Sequence, residues 1–376
     1  MDDELASRDL GADTLVSIGE GLDVLLISDN EALVQFGTRS TPSELFRDTG
    51  LNGLPGRVFG PLLSGPAPLA QLLTGIPDEE LDDARNFVFN LLERGILTRS
   101  GTDPVEQYLT YTFTGESPLA SVRVGLVGAG PIGARLAHSL LQHGIGHLAI
   151  LDDRPVDTRW SAFLPLADRP ADTAQLAHTL LSARLADAGH TGKVEALPYA
   201  LDAEGLEALV ADADIVVVAL EQLSLTVGHL INRLCLRDEK PWMQATIDGN
   251  LGLVGPLFIP VQTACFNDYR VLADATTPNP EMARSYRRHV LARGAGSLFT
   301  GLPAYAEIVA GHASLALIQF LIRQSCFAIG RVMVIDFDRM TIDMEDVLKL
   351  PRCPVCGVEK STYQPVFVAE LTAERR

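Results

Sequence analysis

The alternation of apolar and polar positions divides the chain into three zones. In the first, up to about Arg99, "LVSIGEGLDVLLIS" and "ALVQFGT" predict β segments with a turn around Asp29–Glu31. "RVFGPLLSG", "PLAQLLTG" and "DEELDDARNFVFNLLERGI" then predict three short helices. Pro77-Asp78-Glu79-Glu80 starts the third with acids in its first turn. Phe87, Leu91 and Leu92 share a face, Gly95 ends the helix, and "ILTRS" predicts a wing strand. Residues 1–99 thus predict a small winged-helix-like α+β module. A linker over 100–120 carries Gly101, Pro104, Gly115 and Pro118, with one strand-like piece, "YLTYTF".

The second zone alternates strand and helix. "VRVGLVG", "HLAILD", "KVEALPYAL" and "ADIVVVAL" predict strands, and 132–143, 171–188 and 203–211 predict helices. This order predicts a Rossmann-like, doubly wound α/β sheet. The third zone, from Trp242, predicts a β meander in "PWMQATIDGNLGLVGPLFIP", a charged stretch at 267–293, a helix near 304–326, and a terminal "RVMVIDFDRMTIDMEDVLKLPRCPVCG". Domain limits of 121–360 for the sheet and 361–376 for a tail follow.

Charge narrows the function classes. The 376 residues carry a net charge of −18, against a general nucleic-acid or anionic-membrane binder. The third helix of the first module bears Asp78, Glu79, Glu80, Asp82, Asp83 and Glu93 against Arg85 and Arg94, a face that repels phosphate. Such a module can instead take up an extended peptide by strand addition. The candidate groove lies between the strand Leu33–Phe36 and the helix Asn86–Leu92, with Val34, Phe36, Phe87 and Leu91 as contacts. A structural or dimerisation appendage is the alternative. No run of 18 or more apolar residues predicts a transmembrane helix, and the acidic N-terminus has no signal-peptide pattern. Five cysteines, Cys235, Cys265, Cys326, Cys353 and Cys356, are too sparse for a disulfide framework, so a cytoplasmic protein is expected.

"VGLVGAGPIGARLA" carries Gly128, Gly130 and Gly133 between a strand and a helix, and Asp152 stands 19 residues beyond Gly133. This arrangement suits a nucleotide: the loop approaches a phosphate, the helix N-terminus faces the anion, and the acid meets a ribose hydroxyl. Close strand–helix packing alone would also explain the glycines.

Together "VGLVGAGPIGARLAHSLLQHGIGHLAILDDRPVD", "ADIVVVALEQ" and "CPVCG" resemble the ThiF/MoeB/ubiquitin-activating superfamily, over about Val122 to Gly357. The resemblance implies a fold that adenylates a carboxyl terminus. With the N-terminal module, it is narrowed to the ThiF-like partner proteins of azoline- or thiazole-forming ribosomal peptide pathways. Those bind a leader peptide through a winged-helix-like recognition element. The family's D-x-D-x-V is here Asp152-Asp153-Arg154-Pro155-Val156. The triphosphate-binding arginine position falls on Phe163, the lysine position on Ala171, and the metal-binding aspartate position on Glu221. ATP-Mg needs about four negative charges compensated, and one helix dipole contributes only about 0.3–2 kcal/mol. Arg154 and Arg159 are the nearby replacement cations. The resemblance therefore implies a vestigial loop at Gly128, Gly130, Gly133 and Asp152, with ATP not expected.

The family also implies a structural zinc. Cys353-Pro-Val-Cys356 is an intact pair, while the other pair is reduced to Cys265 with Asp268 at its second position. A zinc on Cys265, Cys353 and Cys356, with Asp268 completing a Cys₃Asp set, and a zinc-free remnant are both compatible with this spacing. Cys235 and Cys326 fall in apolar helix patterns and are expected in the core.

The expected function is a non-catalytic partner that binds a precursor's leader, docks a YcaO-type cyclodehydratase and forms a homodimer. An active adenylating enzyme is the alternative. An NAD(P)-dependent oxidoreductase rests on the glycine loop alone.

Overall fold

The computed structural model describes residues 11–37, 43–113, 118–156, 176–221, 224–293 and 301–357. The chain divides into two compact units, with the division after Ser117.

In the first unit, β1 (Leu15–Ile18) pairs with β5 (Ala67–Pro68) and β6 (Leu97–Arg99). A second antiparallel sheet runs β2 (Leu22–Ser28), β3 (Glu31–Phe36), β4 (Ser43–Arg47), with β3 central. The short loop Asp29-Asn30 closes the first hairpin. α1 (Leu54–Leu62) follows an Asp48 turn whose carboxylate accepts from the amides of Gly50, Asn52 and Leu54. α2 (Leu69–Leu72) and α3 (Leu81–Glu93) complete the helices. α3 begins at Leu81, because residues 77–80 close a turn in which the Glu80 amide donates to the Pro77 carbonyl at 2.9 Å. The core brings Val16, Val34, Val58, Phe59, Leu72, Val88, Leu91 and Leu97 together.

The strand-like "YLTYTF" is helical instead. It lies in α4 (Pro104–Phe113), which belongs to the first unit and occupies part of the expected linker. Its aromatic and β-branched residues favour a strand, but the start signal wins. The Asp103 carboxylate accepts from the amides of Val105 and Glu106, and Pro104 stands at the first helical position. Buried Gln107 then ties the helix to the Glu20 amide at 3.0 Å.

The second unit is an eight-stranded sheet in the order β14-β13-β12-β11-β10-β7-β8-β9. Its parallel half contains β7 (Arg123–Val127), β8 (Leu148 and its neighbours, His147–Leu151), β9 (Lys193–Ala196), β10 (Ile215–Val218) and β11 (Trp242–Asp248). From β11 onward the pairing is antiparallel, through β12 (Leu251–Phe258), β13 (Arg331–Asp336) and β14 (Thr341–Asp346). The helices are α5 (Pro131–Gln142), α6 (Ala177–Asp187), α7 (Ala203–Asp212), α8 (Leu225–Arg237), α9 (Phe266–Ala275), α10 (Pro280–Arg293) and α11 (Pro303–Arg323). The apolar strands alternate side chains between two helical layers. Val127, Val216 and Val218 pack with Leu206 and Leu209 of α7 and Ile231 of α8. The charged stretch at 267–293 proves to be two helices, α9 and α10.

By length and composition α11 could cross a membrane, yet half of its apolar window is buried within the protein. It packs on α5, β11 and β12 as a core helix. Cys326 lies beyond its end rather than in a helix, because the chain turns at Gln324 with φ 54°. Cys235 is in the core as expected, on α8, and burial pushes its thiol above the ordinary range.

Leu91→Ala should destabilise the first unit by about 2–5 kcal/mol, as expected for a fully buried leucine. Exposed Leu25→Ser should change stability by about 0.5 kcal/mol or less. Urea unfolding followed by circular dichroism measures both.

Candidate functional site

The parallel strands place a crevice at the carboxyl ends of β7 and β10, where the strand order reverses. The glycine loop fills it. Gly128 has φ 108°, a backbone conformation suited to glycine, and an added Cβ would stand 2.5 Å from the Ala219 carbonyl oxygen. Gly133, in the first turn of α5, sits against the Gly128 carbonyl. At Gly130 a Cβ would collide with the carboxylate of Glu221. The space beside that glycine, through which a phosphate approaches the backbone in nucleotide loops, is taken by the protein's own acid.

Two of the loop's amides are also taken by internal acids. The Ile132 amide donates to Glu221 Oε1 at 3.3 Å, and the Ala129 amide donates to Asp152 Oδ2 at 2.8 Å. Asp152, fully buried at the end of β8, is held further by Arg154 in a two-pronged contact. Nε donates to Oδ1 at 2.7 Å and Nη2 to Oδ2 at 2.6 Å. The Asp152 amide donates to His178 Nδ1 at 3.0 Å, which places the proton of the neutral ring on Nε2. Arg154 Nη2 stands 3.8 Å from Glu221 Oε2, an oxygen with no hydrogen-bond partner among the described residues. Burial pushes the Glu221 carboxyl up to about 7.

Gly128, Gly130, Gly133 and Asp152 therefore converge as the sequence predicts, and Glu221 joins them. Arg154, a candidate cation for an incoming phosphate, spends its guanidinium on Asp152 within the site. At an effective dielectric near 20, unit charges 4 Å apart interact by about 4 kcal/mol. An ionised Glu221 would oppose a phosphate at this loop on that scale. Phe163, Ala171 and Arg159 lie outside the described residues.

A second cluster joins the start of α9 to the segment after β14. Ligand atoms of Cys265, Asp268, Cys353 and Cys356 all lie within 4.8 Å of one another. Cys265 Sγ and Cys353 Sγ are 3.7 Å apart, and Cys356 Sγ donates to Asp268 Oδ2 at 3.2 Å. The edge of a tetrahedron with metal–sulfur bonds near 2.3 Å is about 3.8 Å. Asp268 is fully buried, and its Oδ1 has no hydrogen-bond partner among the described residues. Three thiols and an orphaned carboxylate oxygen fit a tetrahedral zinc.

The expected peptide groove needs correction. β3 pairs with β2 on one side and β4 on the other, so its backbone cannot accept another strand. Val34 and Leu91 are core residues, 1% and 0% exposed. Phe36 is half-buried against Tyr108 and Tyr111 of α4. Phe87 is half-buried and packs between the core and β4, an edge strand among the described residues. Its ring lies 5.7 Å from that of Phe46 in an edge-on contact. Beside it, Glu44 of β4 and Arg94 after α3 form an ion pair, with the guanidinium over the Phe46 ring. Burial alternates along Ser-Glu-Leu-Phe-Arg, but polarity does not, so the sequence carries little signal for this strand.

The comparisons agree with this architecture. A ThiF family model matches residues 106–357. Curated protein sequences give no match. Among solved structures, E. coli MccB with ATP has a TM-score of 0.62 at 17% identity, covering 91% of this chain and 100% of that chain. The Microcin C7 biosynthetic enzyme MccB in complex with N-formylated MccA has a TM-score of 0.63 at 18% identity, covering 91% and 100%. The heterocyclase TruD has a TM-score of 0.58 at 16% identity, covering 92% of this chain and 43% of TruD. At these identities the likeness establishes the fold.

The buried acid sets a pH signature. A carboxyl with a folded pKa near 7 and an ordinary value of 4.5 weakens the fold as pH rises from 4.5 to 7, and its effect is constant above. Its stabilisation of the protonated fold is fully present below 4.5. Relative to the wild type, Glu221→Gln should therefore gain up to about 3 kcal/mol more stability at pH 8 than at pH 4.5. Urea titrations of both proteins at the two pH values measure the difference.

Proposed function

The chain belongs to the ThiF family, and from that premise we propose that it is a non-adenylating member that binds the leader of a ribosomally made precursor peptide. It presents that peptide to a YcaO-type cyclodehydratase, which supplies the ATP chemistry for azoline formation. The setting is cytoplasmic and the protein acts as a homodimer. The observation that carries this reading is the Glu221 carboxylate on the Ile132 amide, with Arg154 committed to Asp152. A loop whose donors serve internal acids lacks the electrostatic clamp on which phosphoryl and adenylyl chemistry depends.

The peptide role rests on β4, an edge strand among the described residues, beside α3. A strand added there gains main-chain hydrogen bonds, while Phe46 and Phe87 offer an apolar wall and the Glu44–Arg94 pair a charged one. Holding the core of the same peptide near the cyclodehydratase raises its effective concentration there. The fold shared with MccB, solved with N-formylated MccA, supports a peptide as the ligand. The fold shared with MccB bound to ATP favours adenylation instead. That reading requires Glu221 and Arg154 to leave the loop.

Isothermal titration with ATP-Mg, and pyrophosphate exchange in the presence of precursor peptide, separate the two. No binding and no exchange are expected, and peptide-dependent exchange would overturn the non-adenylating role. Peptides selected on the full chain from a 12-residue display library should lose about tenfold in affinity with Phe46→Asp or Phe87→Asp. Selected peptides indifferent to both changes would overturn the β4 site.

The zinc belongs to the same proposal, as a structural ion on Cys265, Asp268, Cys353 and Cys356. Elemental analysis should find one zinc per chain and little in Cys353→Ser. The substituted protein should melt lower than the wild type. Metal-free wild type of unchanged melting temperature after chelation would contradict the assignment.

A further inference from the structure

α10 is out of keeping with the rest of the chain. Its sequence, PEMARSYRRHVLAR, holds four arginines, Arg284, Arg287, Arg288 and Arg293, against a single acid, Glu281. The whole chain carries a net charge of −18. None of the described side chains of α10 is buried. A helix of this length in water draws most of its stability from an apolar face packed on something else. Among the described residues its main packing partner is α9.

The exposed residues are ordered along the helix. Met282 and Tyr286, both 67% exposed, are four residues apart and share one face. Arg284 and Arg288 are also four apart and share another, where like charges disfavour the isolated helix. Neither arginine has an ion pair among the described residues. At 100° per residue, Ser285 and His289 lie between the two rows. The surface thus offers a basic row and an apolar–aromatic row joined by small and polar positions. Tyrosine and arginine of this kind supply much of the energy at protein contacts.

We propose that α10 is a docking helix for an acidic polypeptide segment. Carboxylates of the partner pair with Arg284 and Arg288, and its apolar side chains cover Met282 and Tyr286. The pairing relieves the repulsion within the helix, and covering Met282 and Tyr286 removes two exposed apolar side chains from water. Charge selects the class of occupant. Duplex DNA and anionic membranes also carry negative charge, but they present it as a broad field that the acidic remainder of the chain repels. A second copy of the protein brings the same basic helix and no complement on it. An acidic segment of a protein is small enough to meet this one basic element. The inference does not depend on the leader-peptide reading or on the state of the glycine loop.

The test uses the full-length protein and fluorescence anisotropy. The probes are labelled 18-residue amphipathic peptides, one built from Glu and Leu and one from Lys and Leu. The Glu–Leu peptide should bind and weaken at least tenfold between 50 and 300 mM salt. The pair Arg284→Glu and Arg288→Glu should weaken it at least tenfold at low salt. Met282→Ala with Tyr286→Ala should weaken it severalfold at every salt concentration. Arg288→Glu alone replaces a like-charged pair by an attractive one, so it should lose binding without lowering the melting temperature. Equal binding of the Lys–Leu peptide, or no loss on charge reversal, would overturn the proposal. So would tighter binding of a 20-base-pair duplex or of phosphatidylglycerol vesicles through the same two arginines.

Discussion

A carboxylate resting on the first amide of α5, that of Ile132, is the constraint around which the second unit is arranged. Glu221 lies where β10 ends and Asp152 where β8 ends, and both reach the loop between β7 and α5. Two acids, two amides and the Arg154 guanidinium form one network in which Glu221 Oε2 remains without a hydrogen-bond partner among the described residues. Burial holds that acid near neutrality rather than at its ordinary value. The loop therefore keeps the shape of a nucleotide cradle, with its own side chains in place of the anion.

β11 is the hinge of the architecture. On one side it is the last parallel strand, and on the other it begins the antiparallel meander. The parallel side carries the loop. The antiparallel side returns the chain so that Cys353 and Cys356 meet Cys265 and Asp268. Each half thus holds one cluster of chemically capable groups. The first unit, considered by itself, has β4 as an edge strand among the described residues.

Much of this was legible in the sequence where a pattern is local. The three glycines with Asp152, the βα alternation and the C-x-x-C pair each announce themselves within a short window. The residues that misled are those whose role depends on pairing. Nothing in "ALVQF" says that β3 is central, so Val34 passed for a contact when it is core. "SELFR" is too short and too polar to announce an edge strand, and so Phe46 and Arg94 were missed. "YLTYTF" has strand composition, but Asp103 and Pro104 just before it dictate a helix. Arg154 was visible as a cation, while its direction toward Asp152 rests on the turn after β8. The charge of 267–293 was plain, while its division into two helices, α9 and α10, was not.

The approach of Cys265 to Cys353 bears on the order in which the molecule assembles. Those residues are 88 positions apart, and α10, α11 and the β13–β14 hairpin lie between them. Closing a loop of that length costs an unfolded chain about 4–5 kcal/mol of entropy. On the parallel side the Glu221–Ile132 contact closes a loop of 89 residues, at the same entropic expense. Neither cluster therefore has an entropic head start in assembly, and the basic helix lies within the ring of chain that the thiols close.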